Sequence, residues 1–365
     1  MKAAVLEKFN EPFVIRDIEL AAPGPDEVLV RTAAVGICHS DIHMQEGIRP
    51  NLPLPAVLGH EVSGVVEQVG SGVRDLQPGD HVVGTLAAFC GHCPHCIAGR
   101  LVLCQDTNVK QPPGQARRLR AADAPVSQVY NLSGFAEQML VHRSTLVRIS
   151  KEMPLDRAAL LGCALTTGAG AVFRTAQVRA GASVAVIGCG GIGLAAINGA
   201  QIAGAARIIA IDRLPHKLEQ ARQFGATDTI DTIDASSGDV VEQVRQLTGG
   251  GVDYAFECIG LPATVEQCWA MLKPAGVATI LGIFGPGAKV SVAGMDLLQE
   301  KQLRGSMLGS VRPPEDIPAL VELYLQGRLK IDELISRRIP LEQINEGFEA
   351  LRRGETTRTV IVFDR

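Results

Sequence analysis

The chain has 365 residues, of which 46% are hydrophobic and 20% charged, and its formal net charge at pH 7 is −4. A single hydrophobic core rarely grows past about 250–300 residues, so this length predicts two domains. The mild acidity leaves no basic stripe, which argues against nucleic acid or an anionic membrane as the main partner.

The first residues and the cysteines both indicate the cell interior. Met1–Lys8 carries charge too early to contain the apolar segment of a signal peptide. Nine cysteines, an odd number, are typical of a reducing compartment in which thiols are buried or hold metal. The apolar stretch at residues 182–211 is interrupted by six glycines, which favours a buried strand–turn–helix–strand over a membrane span. We therefore expect a cytoplasmic protein without a membrane segment.

Residues 1–150 are predicted to form short strands separated by turns. Apolar runs at residues 28–35 and 62–69 are typical of β-strands, and Pro23-Gly24-Pro25 and Pro78-Gly79 are typical of turns. The first part of the chain is therefore predicted to be mainly β.

Four cysteines follow one another at the spacing C-x2-C-x2-C-x7-C. They are Cys90, Cys93, Cys96 and Cys104. Thiolates three residues apart on a tight turn can converge on one ion, and four of them complete a tetrahedral zinc site with bonds of about 2.3 Å. A disulfide framework would be expected in a short secreted domain, and an iron–sulfur cluster is a minor alternative. Because four thiolates leave no open coordination position, we expect this structural zinc to stabilise a loop and to take no part in chemistry.

From about Gly181 onwards, apolar strands alternate with helical segments. The predicted strands lie at residues 183–187, 207–211, 252–256 and 277–281, and the predicted helices at about 191–203, 217–224, 240–247 and 263–272. Continuous apolar strands separated by helices predict an α/β fold with a doubly wound parallel sheet. Further on, an amphipathic helix at 317–326 precedes a closing strand at 359–363, which we expect to return to the first domain.

The segment after the first of these strands carries the motif G-x-G-x-x-G. It consists of Gly188, Cys189, Gly190, Gly191, Ile192 and Gly193. The motif follows a predicted strand and opens a predicted helix, which is the context that dinucleotide binding requires. Gly188 permits the tight turn, Gly190 lets a pyrophosphate approach the backbone, and Gly193 lets helix and strand pack closely. The positive end of the helix dipole then faces the negative charge of the pyrophosphate.

Asp212 lies 19 residues beyond Gly193, at the end of the next predicted strand. A carboxylate there accepts hydrogen bonds from the adenosine ribose and repels a 2′-phosphate, so NAD is favoured over NADP. Arg213 beside it leaves some NADP use open. The alternative role of Asp212 is to cap the following helix.

Six motifs follow one another along essentially the whole chain. They are G-I-C-H-S-D at 36–41, G-H-E at 59–61, the four-cysteine segment, L-G-C-A-L-T-T-G at 161–168, the glycine turn and G-E-T-T-R-T at 354–359. With these motifs the chain resembles the zinc-dependent alcohol dehydrogenases of the medium-chain dehydrogenase/reductase (MDR) family. The resemblance implies a mainly β, GroES-like catalytic domain at 1–164, completed by 308–365, and a Rossmann NAD-binding domain at 165–307.

The resemblance also implies a second, catalytic zinc ion. Its ligands would be Cys38, His60 and Cys163, with a fourth position open for water or substrate. Taken singly, a cysteine or histidine is more often a buried core residue than a ligand. The family places two carboxylates behind such ligands, here Asp41 and Glu61, and Asp41 would orient the ring of His60. The alternative role of Glu61 is a simple buried ion pair.

Further site residues are assigned by the same resemblance. The family carries the substrate proton outward through a hydroxyl and a histidine, and Ser40 and His43 stand at those positions. His39 replaces the arginine with which many relatives contact the cofactor pyrophosphate, so that contact is expected to be weaker and pH-dependent. The remaining predicted cofactor contacts are Thr167 beside the nicotinamide, Lys217 near the adenosine ribose and Arg358 on the pyrophosphate. The alternative for Lys217 is a solvated lysine on the surface of its helix.

The implied activity is reversible hydride transfer between an alcohol and its aldehyde or ketone, through a zinc-bound alkoxide and with NAD as partner. The alternative within the family is a dehydrogenase of S-hydroxymethyl thiol adducts of formaldehyde. Arg117, Arg118 and Arg120 would then bind an anionic thiol carrier, although a solvated loop is the simpler interpretation of these arginines. A zinc-free quinone reductase and a non-catalytic binder of metal and nucleotide are disfavoured by the complete ligand set.

The expected partner is a small-molecule alcohol or aldehyde. By alignment with the family, Leu86 and Tyr130 are expected near this substrate, and an aromatic content of only 4% predicts a pocket lined by aliphatic side chains. Residues 105–134 form a long segment, as in dimeric members of the family, which favours a homodimer over a tetramer.

Overall fold

The computed structural model describes residues 1–109, 118–122, 124–233 and 239–363. The chain divides into two compact units. The first unit consists of Met1–Cys163, Arg312–Gly327 and Ile331–Arg365, and the second of Ala164–Val311 with Arg328–Lys330. The first unit is thus assembled from three separate stretches of sequence.

The first unit is built mainly from strands. Its strands are β1 (Lys2–Leu6), β2 (Val14–Asp17), β3 (Glu19–Leu20), β4 (Glu27–Ile37), β5 (Ala56–Val57), β6 (Glu61–Val69), β7 (His81–Gly84), β8 (Leu119–Ala121), β9 (Ala124–Gln128), β10 (Gln138–His142), β11 (Leu146–Arg148) and, after six strands of the second unit, β18 (Ile335–Ile339) and β19 (Arg358–Val362). Its helices are α1 (His39–Gln45), α2 (Pro94–Ile97), α3 (Leu155–Ala158) and, after those of the second unit, α10 (Pro313–Leu325) and α11 (Ile344–Arg352).

Two sheets organise the first unit. One has the strand order β2-β1-β5-β9-β8-β3, and the other the order β11-β7-β6-β4-β19-β18, with β10 also paired to β4. β4 alternates half-buried and buried residues over most of its length, as expected for an antiparallel strand with one face in the core. β19 pairs antiparallel with β4, from Thr359 opposite Ile37 to Val362 opposite Ala34. The closing strand therefore returns to the first part of the chain, as the sequence predicts.

Three phenylalanines join distant parts of the first unit in its core. The ring of Phe13 lies 4.8 Å from that of Phe348 and 6.0 Å from that of Phe135, and the Phe135 and Phe348 rings are 5.9 Å apart. Two of these three contacts are edge-to-face, which aromatic quadrupoles favour. Because Phe348 belongs to α11, this cluster fixes the C-terminal stretch to the N-terminal sheets.

The second unit contains one parallel sheet with helices between its strands. Its strands are β12 (Ser183–Ile187), β13 (Arg207–Asp212), β14 (Asp228–Asp231), β15 (Val252–Glu257), β16 (Leu272–Ile280) and β17 (Gln302–Gly305). Its helices are α4 (Ala164–Gly170), α5 (Gly191–Ile202), α6 (Pro215–Gln223), α7 (Val240–Thr248), α8 (Pro262–Ala270) and α9 (Gly294–Leu297). The order β14-β13-β12-β15-β16-β17 reverses direction between β12 and β15, and ligands bind at the carboxyl ends of strands beside such a switch point. The predicted α/β, doubly wound fold is confirmed.

Two predicted helix boundaries are displaced. The helix predicted at 263–272 is α8, which ends at Ala270, because Leu272 already pairs with the start of β15 in the sheet. The helix predicted at 317–326 is α10, which begins at Pro313. Proline is well suited to the first turn of a helix, because the N–H that it lacks would have no partner within the helix there. In both cases a contact or residue outside the apolar pattern determines the boundary.

Among the described residues, no single helix has the length and apolarity needed to cross a membrane. Leu155–Gly162 and Ala164–Ala176 reach that length and composition only when they are taken together across a sharp bend. Most of these residues are buried inside the protein.

Candidate metal and cofactor sites

The four-cysteine segment brings its sulfur atoms to one point of the first unit. The Sγ–Sγ distances are 3.7 Å for Cys90–Cys104, 3.9 Å for Cys93–Cys104 and 4.0 Å for Cys90–Cys96. Four sulfurs placed about 2.3 Å from a central zinc ion form a tetrahedron with edges of about 3.8 Å. The arrangement therefore fits one tetrahedral zinc ion.

Local backbone structure holds these sulfurs in place. Gly91 turns the chain with a φ of +81°, and α2 begins directly after Cys93. The backbone N–H of Cys93 donates to Cys90 Sγ at 3.3 Å, and the N–H of Cys90 donates to Cys104 Sγ at 3.4 Å. The N–H of Cys96 is the main cause that lowers the pKa of Cys93 to about 6. This hydrogen bond prepares Cys93 to bind metal as a thiolate, whereas burial raises the pKa of Cys96 to about 12 and that of Cys104 above its usual value.

A second group of metal-ligating side chains is buried elsewhere in the first unit. One donor atom each from Cys38, His60, Glu61 and Cys163 lies within 4.8 Å of the others. Cys38 directly follows β4, His60 precedes β6, and Cys163 follows the short helical turn at 159–162. Three segments that are far apart in sequence therefore converge on one point.

The atom that points most directly to a metal is Nε2 of His60. It is buried and has no hydrogen-bond partner, while Nδ1 of the same ring lies 3.1 Å from Oδ1 of Asp41. When Nδ1–H donates to the carboxylate, Nε2 carries a free lone pair. Leaving such a nitrogen unpaired costs about 1–3 kcal/mol, which a metal bond removes. With the sulfurs of Cys38 and Cys163 it completes a set typical of catalytic zinc with one open position.

Asp41 positions two of these ligands. Its Oδ2 accepts from the backbone N–H of Cys38 at 3.2 Å, and its Oδ1 accepts from the N–H of Gly59 at 3.3 Å as well as from His60. As the third residue of α1 it also caps that helix. Gly59 has a φ of +93°, and a Cβ there would lie 2.6 Å from the backbone nitrogen of Phe135. The residue before His60 must therefore be glycine.

Glu61 and Arg358 form a buried ion pair beside the ligands. Nε of Arg358 lies 3.3 Å from Oε2 of Glu61, although the two groups do not have hydrogen-bond geometry. Burial raises the pKa of Glu61 to about 8, and the charge of Arg358 opposes that rise. The sequence assigns Arg358 to the pyrophosphate and misses this contact. The sequence does contain one signal for this contact, which is the predicted return of the closing strand to the first domain. That strand is β19, and it pairs with the end of β4 just before Cys38.

Helix α1 carries the predicted proton path. Ser40 Oγ lies 3.7 Å from Cys38 Sγ. His43 lies three residues further along the helix and is half-exposed, and His39 is exposed at the helix start. Side chains three residues apart lie on the same helix face. The structure therefore brings Ser40 to the metal ligands and places His43 on the same face of α1, where both side chains are partly exposed.

Tyr130 is the aromatic neighbour of the metal ligands. Its ring meets the ring of His60 edge-on with centroids 5.1 Å apart, and the guanidinium of Arg49 lies 5.4 Å from its centroid. Burial, with the charge of Asp41, raises the pKa of its phenol, which is therefore neutral at pH 7. Tyr130 and Asn131 have φ values of +56° and +61°, and strained backbone of this kind concentrates at functional sites. The predicted substrate pocket is thus not lined by aliphatic side chains alone. Leu86, the other residue expected near the substrate, follows β7 and is half-buried.

In the second unit, the glycine turn joins β12 to α5 at the switch point of the sheet. Gly188 has a φ of +94°, and α5 begins at Gly191 directly after Gly190. A Cβ at Gly193 would lie 1.8 Å from the carbonyl oxygen of Gly188, so helix and strand approach more closely than any side chain permits. A Cβ at Gly190 would meet nothing within 4 Å, so the start of α5 faces open space. This cradle fits a pyrophosphate at a helix N-terminus.

Asp212 lies at the end of β13, next to the glycine turn. Its Oδ2 accepts from the backbone N–H of Cys189 at 2.7 Å, and its Oδ1 accepts from the N–H of Leu214 at 3.0 Å. The carboxylate thus touches the glycine turn and also holds the residue before α6, and it remains half-exposed. Lys217 is half-exposed in the first turn of α6, and Thr167 is buried in α4.

Of the arginines considered for an anionic thiol carrier, Arg118 and Arg120 are described by the structure. Arg117 lies outside the described residues. Arg118 is paired with Glu27 and donates to Oε1 of Gln128 at 2.9 Å, so its guanidinium is committed to the fold. Arg120 belongs to β8. The expectation of a loop is therefore wrong for the described part of this segment, because pairing between β8 and β9 orders it.

Comparison with protein families gives two matches along the chain. Residues 24–151 match the alcohol dehydrogenase GroES-like domain, and residues 191–326 match the zinc-binding dehydrogenase family. Together these matches cover most of the sequence.

Individual relatives align over nearly their whole length. An alcohol dehydrogenase class-3 of Myxine glutinosa is 39% identical, with 99% of this chain and 97% of that protein covered. A probable S-(hydroxymethyl)glutathione dehydrogenase 1 of Schizosaccharomyces pombe is 38% identical, with 99% of this chain and 96% of that protein covered.

Solved structures match equally well. A zinc-binding domain alcohol dehydrogenase protein from Burkholderia ambifaria has a TM-score of 0.94 at 39% identity, covering 100% of this chain and 99% of its own. Benzyl alcohol dehydrogenase from Acinetobacter calcoaceticus has a TM-score of 0.93 at 33% identity, with the same coverage of 100% and 99%. A zinc-binding dehydrogenase from Sinorhizobium meliloti, bound to NADP, has a TM-score of 0.82 at 33% identity and covers 99% of each chain.

Proposed function

This chain belongs to the zinc-dependent alcohol dehydrogenases of the MDR family, and from that premise we propose that it oxidises an alcohol with NAD and catalyses the reverse reduction. As a member of the family it is an oxidoreductase that acts on small-molecule alcohols and aldehydes with zinc and a nicotinamide cofactor. The observation that carries the proposal is the buried, unpartnered Nε2 of His60, which lies with the thiols of Cys38 and Cys163 in one cluster.

The cluster offers two sulfur donors and one nitrogen donor to the catalytic zinc. When bound there, zinc acts as a Lewis acid that can lower the pKa of a bound hydroxyl from about 15.7 to about 7, which corresponds to roughly 12 kcal/mol. An unperturbed histidine, with a pKa of about 6.5, is too weak a base to remove a proton from a hydroxyl group whose pKa is about 15.7. The metal therefore has to lower the pKa of the hydroxyl group first. Two thiolates also neutralise a divalent ion, so a negatively charged substrate oxygen is stabilised without being held too tightly.

Asp41 holds His60 in the tautomer that metal binding needs. Its carboxylate accepts the Nδ1 proton and leaves the Nε2 lone pair directed at the sulfurs. Glu61 lies within the same cluster, paired with Arg358. Asp41 therefore acts through the ligands Cys38 and His60, and Glu61 adds a buried carboxyl group to the cluster.

Ser40 and His43 move the substrate proton. Ser40 Oγ lies beside the Cys38 sulfur; it accepts the proton of the alcohol hydroxyl and passes its own hydroxyl proton on towards His43. His43 delivers it to solvent, because its imidazole is half-exposed and can both accept and donate a proton. The route explains how a buried site loses a proton without opening to water.

NAD is the preferred cofactor in this proposal. The open cradle at Gly190 admits the pyrophosphate, and the half-exposed carboxylate of Asp212 accepts from the ribose hydroxyls. The same negative charge repels the 2′-phosphate of NADP. Thr167, Lys217, His39 and Arg358 are the further cofactor contacts of the proposal.

A second candidate function is oxidation of S-hydroxymethyl thiol adducts of formaldehyde. The name of the Schizosaccharomyces pombe relative favours it. Arg118 is not available to bind an anionic carrier, because Glu27 and Gln128 already occupy its guanidinium. Rates with hydroxymethyl thiol adducts and with simple alcohols, measured side by side, distinguish the two candidates.

Assembly into a homodimer is part of the proposal. β17 lies at the edge of the parallel sheet, and large apolar side chains next to it are exposed, with Met295 73% and Leu298 77% accessible. Exposed apolar patches beside an open strand edge favour association with a second copy. Light scattering after size-exclusion chromatography tests this, and Leu298→Asp should shift the protein towards monomer.

A cytoplasmic location is also proposed. All nine cysteines are free of disulfides, and a reducing compartment keeps thiols in that state. Fractionation of cells that express the protein tests the location.

The decisive experiment combines zinc quantitation with activity. The wild-type chain should hold two zinc ions and form NADH from a panel of primary, secondary and aromatic alcohols. Cys38→Ser and His60→Ala should each lose one zinc and nearly all activity, because each removes a metal ligand. Full activity in either variant would disprove the proposed mechanism.

A further inference from the structure

A buried carboxylate in the second unit takes no part in the chemistry above. Glu257 is the last residue of β15, at the sheet edge that carries the glycine turn, and it is fully buried. Its Oε1 accepts from the backbone N–H of Ile259 at 2.9 Å, from the N–H of Gly260 at 2.7 Å and from the hydroxyl of Thr264 at 2.7 Å. Its Oε2 is buried without a partner. One oxygen thus fixes the whole turn between β15 and α8.

This turn is packed against the turn that follows β16. The carbonyl oxygen of Glu257 accepts from the N–H groups of Leu281 and Gly282 at 2.9 and 3.2 Å. A Cβ at Gly260 would lie 2.3 Å from the carbonyl oxygen of Ile283, so the two turns are in direct contact. Glu257 therefore connects two adjacent turns at the carboxyl edge of the sheet.

The same turn also contacts the glycine turn. A Cβ at Gly188 would lie 2.7 Å from Cγ1 of Ile259, so the Ile259 side chain rests on the backbone of Gly188. Ile259 is 46% exposed and owes its position to the hydrogen bond from its N–H to Glu257. Any displacement of Ile259 is therefore passed to the backbone that has to approach a pyrophosphate closely.

We propose that Glu257 is a positioning residue for the nicotinamide cofactor, which keeps Ile259 in place as the support of the glycine turn. The inference rests on the proposed function, since it assumes a dinucleotide at that turn. Burying a carboxylate is costly unless hydrogen bonds compensate for it, and here two of the three donors to its side chain belong to the turn after β15 and the third, Thr264, to the first turn of α8. A turn that is ordered in advance lowers the entropy that binding would otherwise cost.

The chain provides a matched control on the same strand. Asp253 lies near the amino end of β15, and its Oδ2 accepts from the N–H of Ser183 at 2.8 Å and from the hydroxyl of Ser183 at 2.7 Å. It also pairs with Lys273. Like Glu257, Asp253 therefore accepts from a backbone N–H and from a side-chain hydroxyl, but it does so at the opposite end of the strand and has a lysine partner as well.

The experiment compares Glu257→Ala, Glu257→Gln, Thr264→Val and Asp253→Ala with the wild-type holoenzyme. NADH affinity is measured by fluorescence titration, together with KM for NAD, kcat and thermal unfolding. Glu257→Ala should weaken NADH binding about tenfold and raise KM for NAD by a similar factor, with kcat at saturating NAD within about twofold. Glu257→Gln should restore most of the affinity, because its amide oxygen still accepts from the same donors.

The other two variants separate positioning from general stability. Thr264→Val, which loses one donor, should weaken NADH binding about two- to threefold. Asp253→Ala should lower the unfolding temperature about as much as Glu257→Ala but leave NADH affinity unchanged. Unchanged NADH affinity in Glu257→Ala and Thr264→Val, or an equal loss in Asp253→Ala, would overturn the inference. If Glu257→Ala does not fold, the comparison of NADH affinity between Thr264→Val and Asp253→Ala provides the same test. If the proposed function itself is wrong, the result is different, because the wild-type protein would then bind no NADH or oxidise no alcohol.

Discussion

The two cysteine sites of the first unit are built in opposite ways. The four-cysteine site uses sulfur atoms from one short segment, residues 90–104, and two of its cysteines are partly exposed. The site of Cys38, His60 and Cys163 draws on three distant segments, is fully buried, and includes a nitrogen without a partner. A buried ion pair and a tyrosine ring lie beside the second site.

The difference shows how one type of ion can serve stability or chemistry. A closed set of thiolates on a short segment needs little of the fold and leaves no coordination position for a substrate. A set assembled from distant strands forms only when the unit is folded, and it can keep one position open and control the charge around it. The following predictions test whether the two sites are divided in this way.

The largest effect is expected for Cys163→Ala. Loss of this ligand should lower kcat/KM by at least about 10³-fold and reduce the zinc content from two ions per chain to one, since the Lewis acid is lost. Elemental analysis and steady-state kinetics measure both. Cys268→Ala is the matched control, because Cys268 is a buried core thiol outside the metal clusters, and it should keep its activity. Retained activity in Cys163→Ala would remove the distinction between the sites.

A smaller effect is expected for Asp41→Asn. The amide keeps the shape of the side chain but loses the charge that holds His60 and the cap of α1, so zinc affinity at the buried site should fall about 10- to 100-fold. Competition with a chromogenic chelator measures the affinity of each site. Asp75→Asn, at an exposed ion pair with Arg143, should leave both affinities unchanged. If Asp41→Asn instead lost zinc from the four-cysteine site, the role of Asp41 in holding His60 at the buried site would be contradicted.

For Cys96→Ala the effect should fall on stability rather than on catalysis. Removing one sulfur opens the closed site, so one zinc is lost and the unfolding temperature should fall by roughly 10 °C. The kcat/KM of the folded fraction should stay within about threefold of the wild type. Calorimetry and kinetics on the same preparation measure the two quantities. A loss of activity as large as that of Cys163→Ala would show that the four-cysteine site takes part in the reaction.

The smallest effect is expected for His92→Ala. His92 lies beside Cys90 and Asp106 and could in principle complete a metal site with them, but its side chain is 77% exposed. If four cysteines already complete the closed site, the variant should hold two zinc ions and change the free energy of unfolding by less than about 0.5 kcal/mol. A lost zinc ion in this variant would make His92 a ligand.

The closed site could be predicted from spacing alone, whereas the buried site could not. Its ligands lie at residues 38, 60 and 163, and no periodicity joins positions so far apart. Only the resemblance to a family connected Cys38, His60 and Cys163 before the structure did. The strands of the second unit were predictable because buried parallel strands are continuous apolar runs, and the predicted strand at 183–187 coincides with β12.

Side-chain neighbours across the fold were the least predictable feature. The ion pair of Arg358 with Glu61 depends on the register of β19 on β4, which sequence patterns do not specify. The approach of Tyr130 to His60 depends on left-handed backbone at a residue that is not glycine. Glu257 belongs to an ordinary apolar strand in sequence, and only its three donors reveal its position. Each of these features is set by tertiary packing, which overrides local preference.

The pairing of β19 with β4 has a consequence for biosynthesis. Residues 312–363 complete the sheet that carries Cys38, so a growing polypeptide cannot finish this unit until they have left the ribosome. The parallel sheet at 183–305 needs none of them and can form during translation. In the interval, the end of β4 at residues 34–37 has no strand on one side and is exposed to the solvent or to a chaperone.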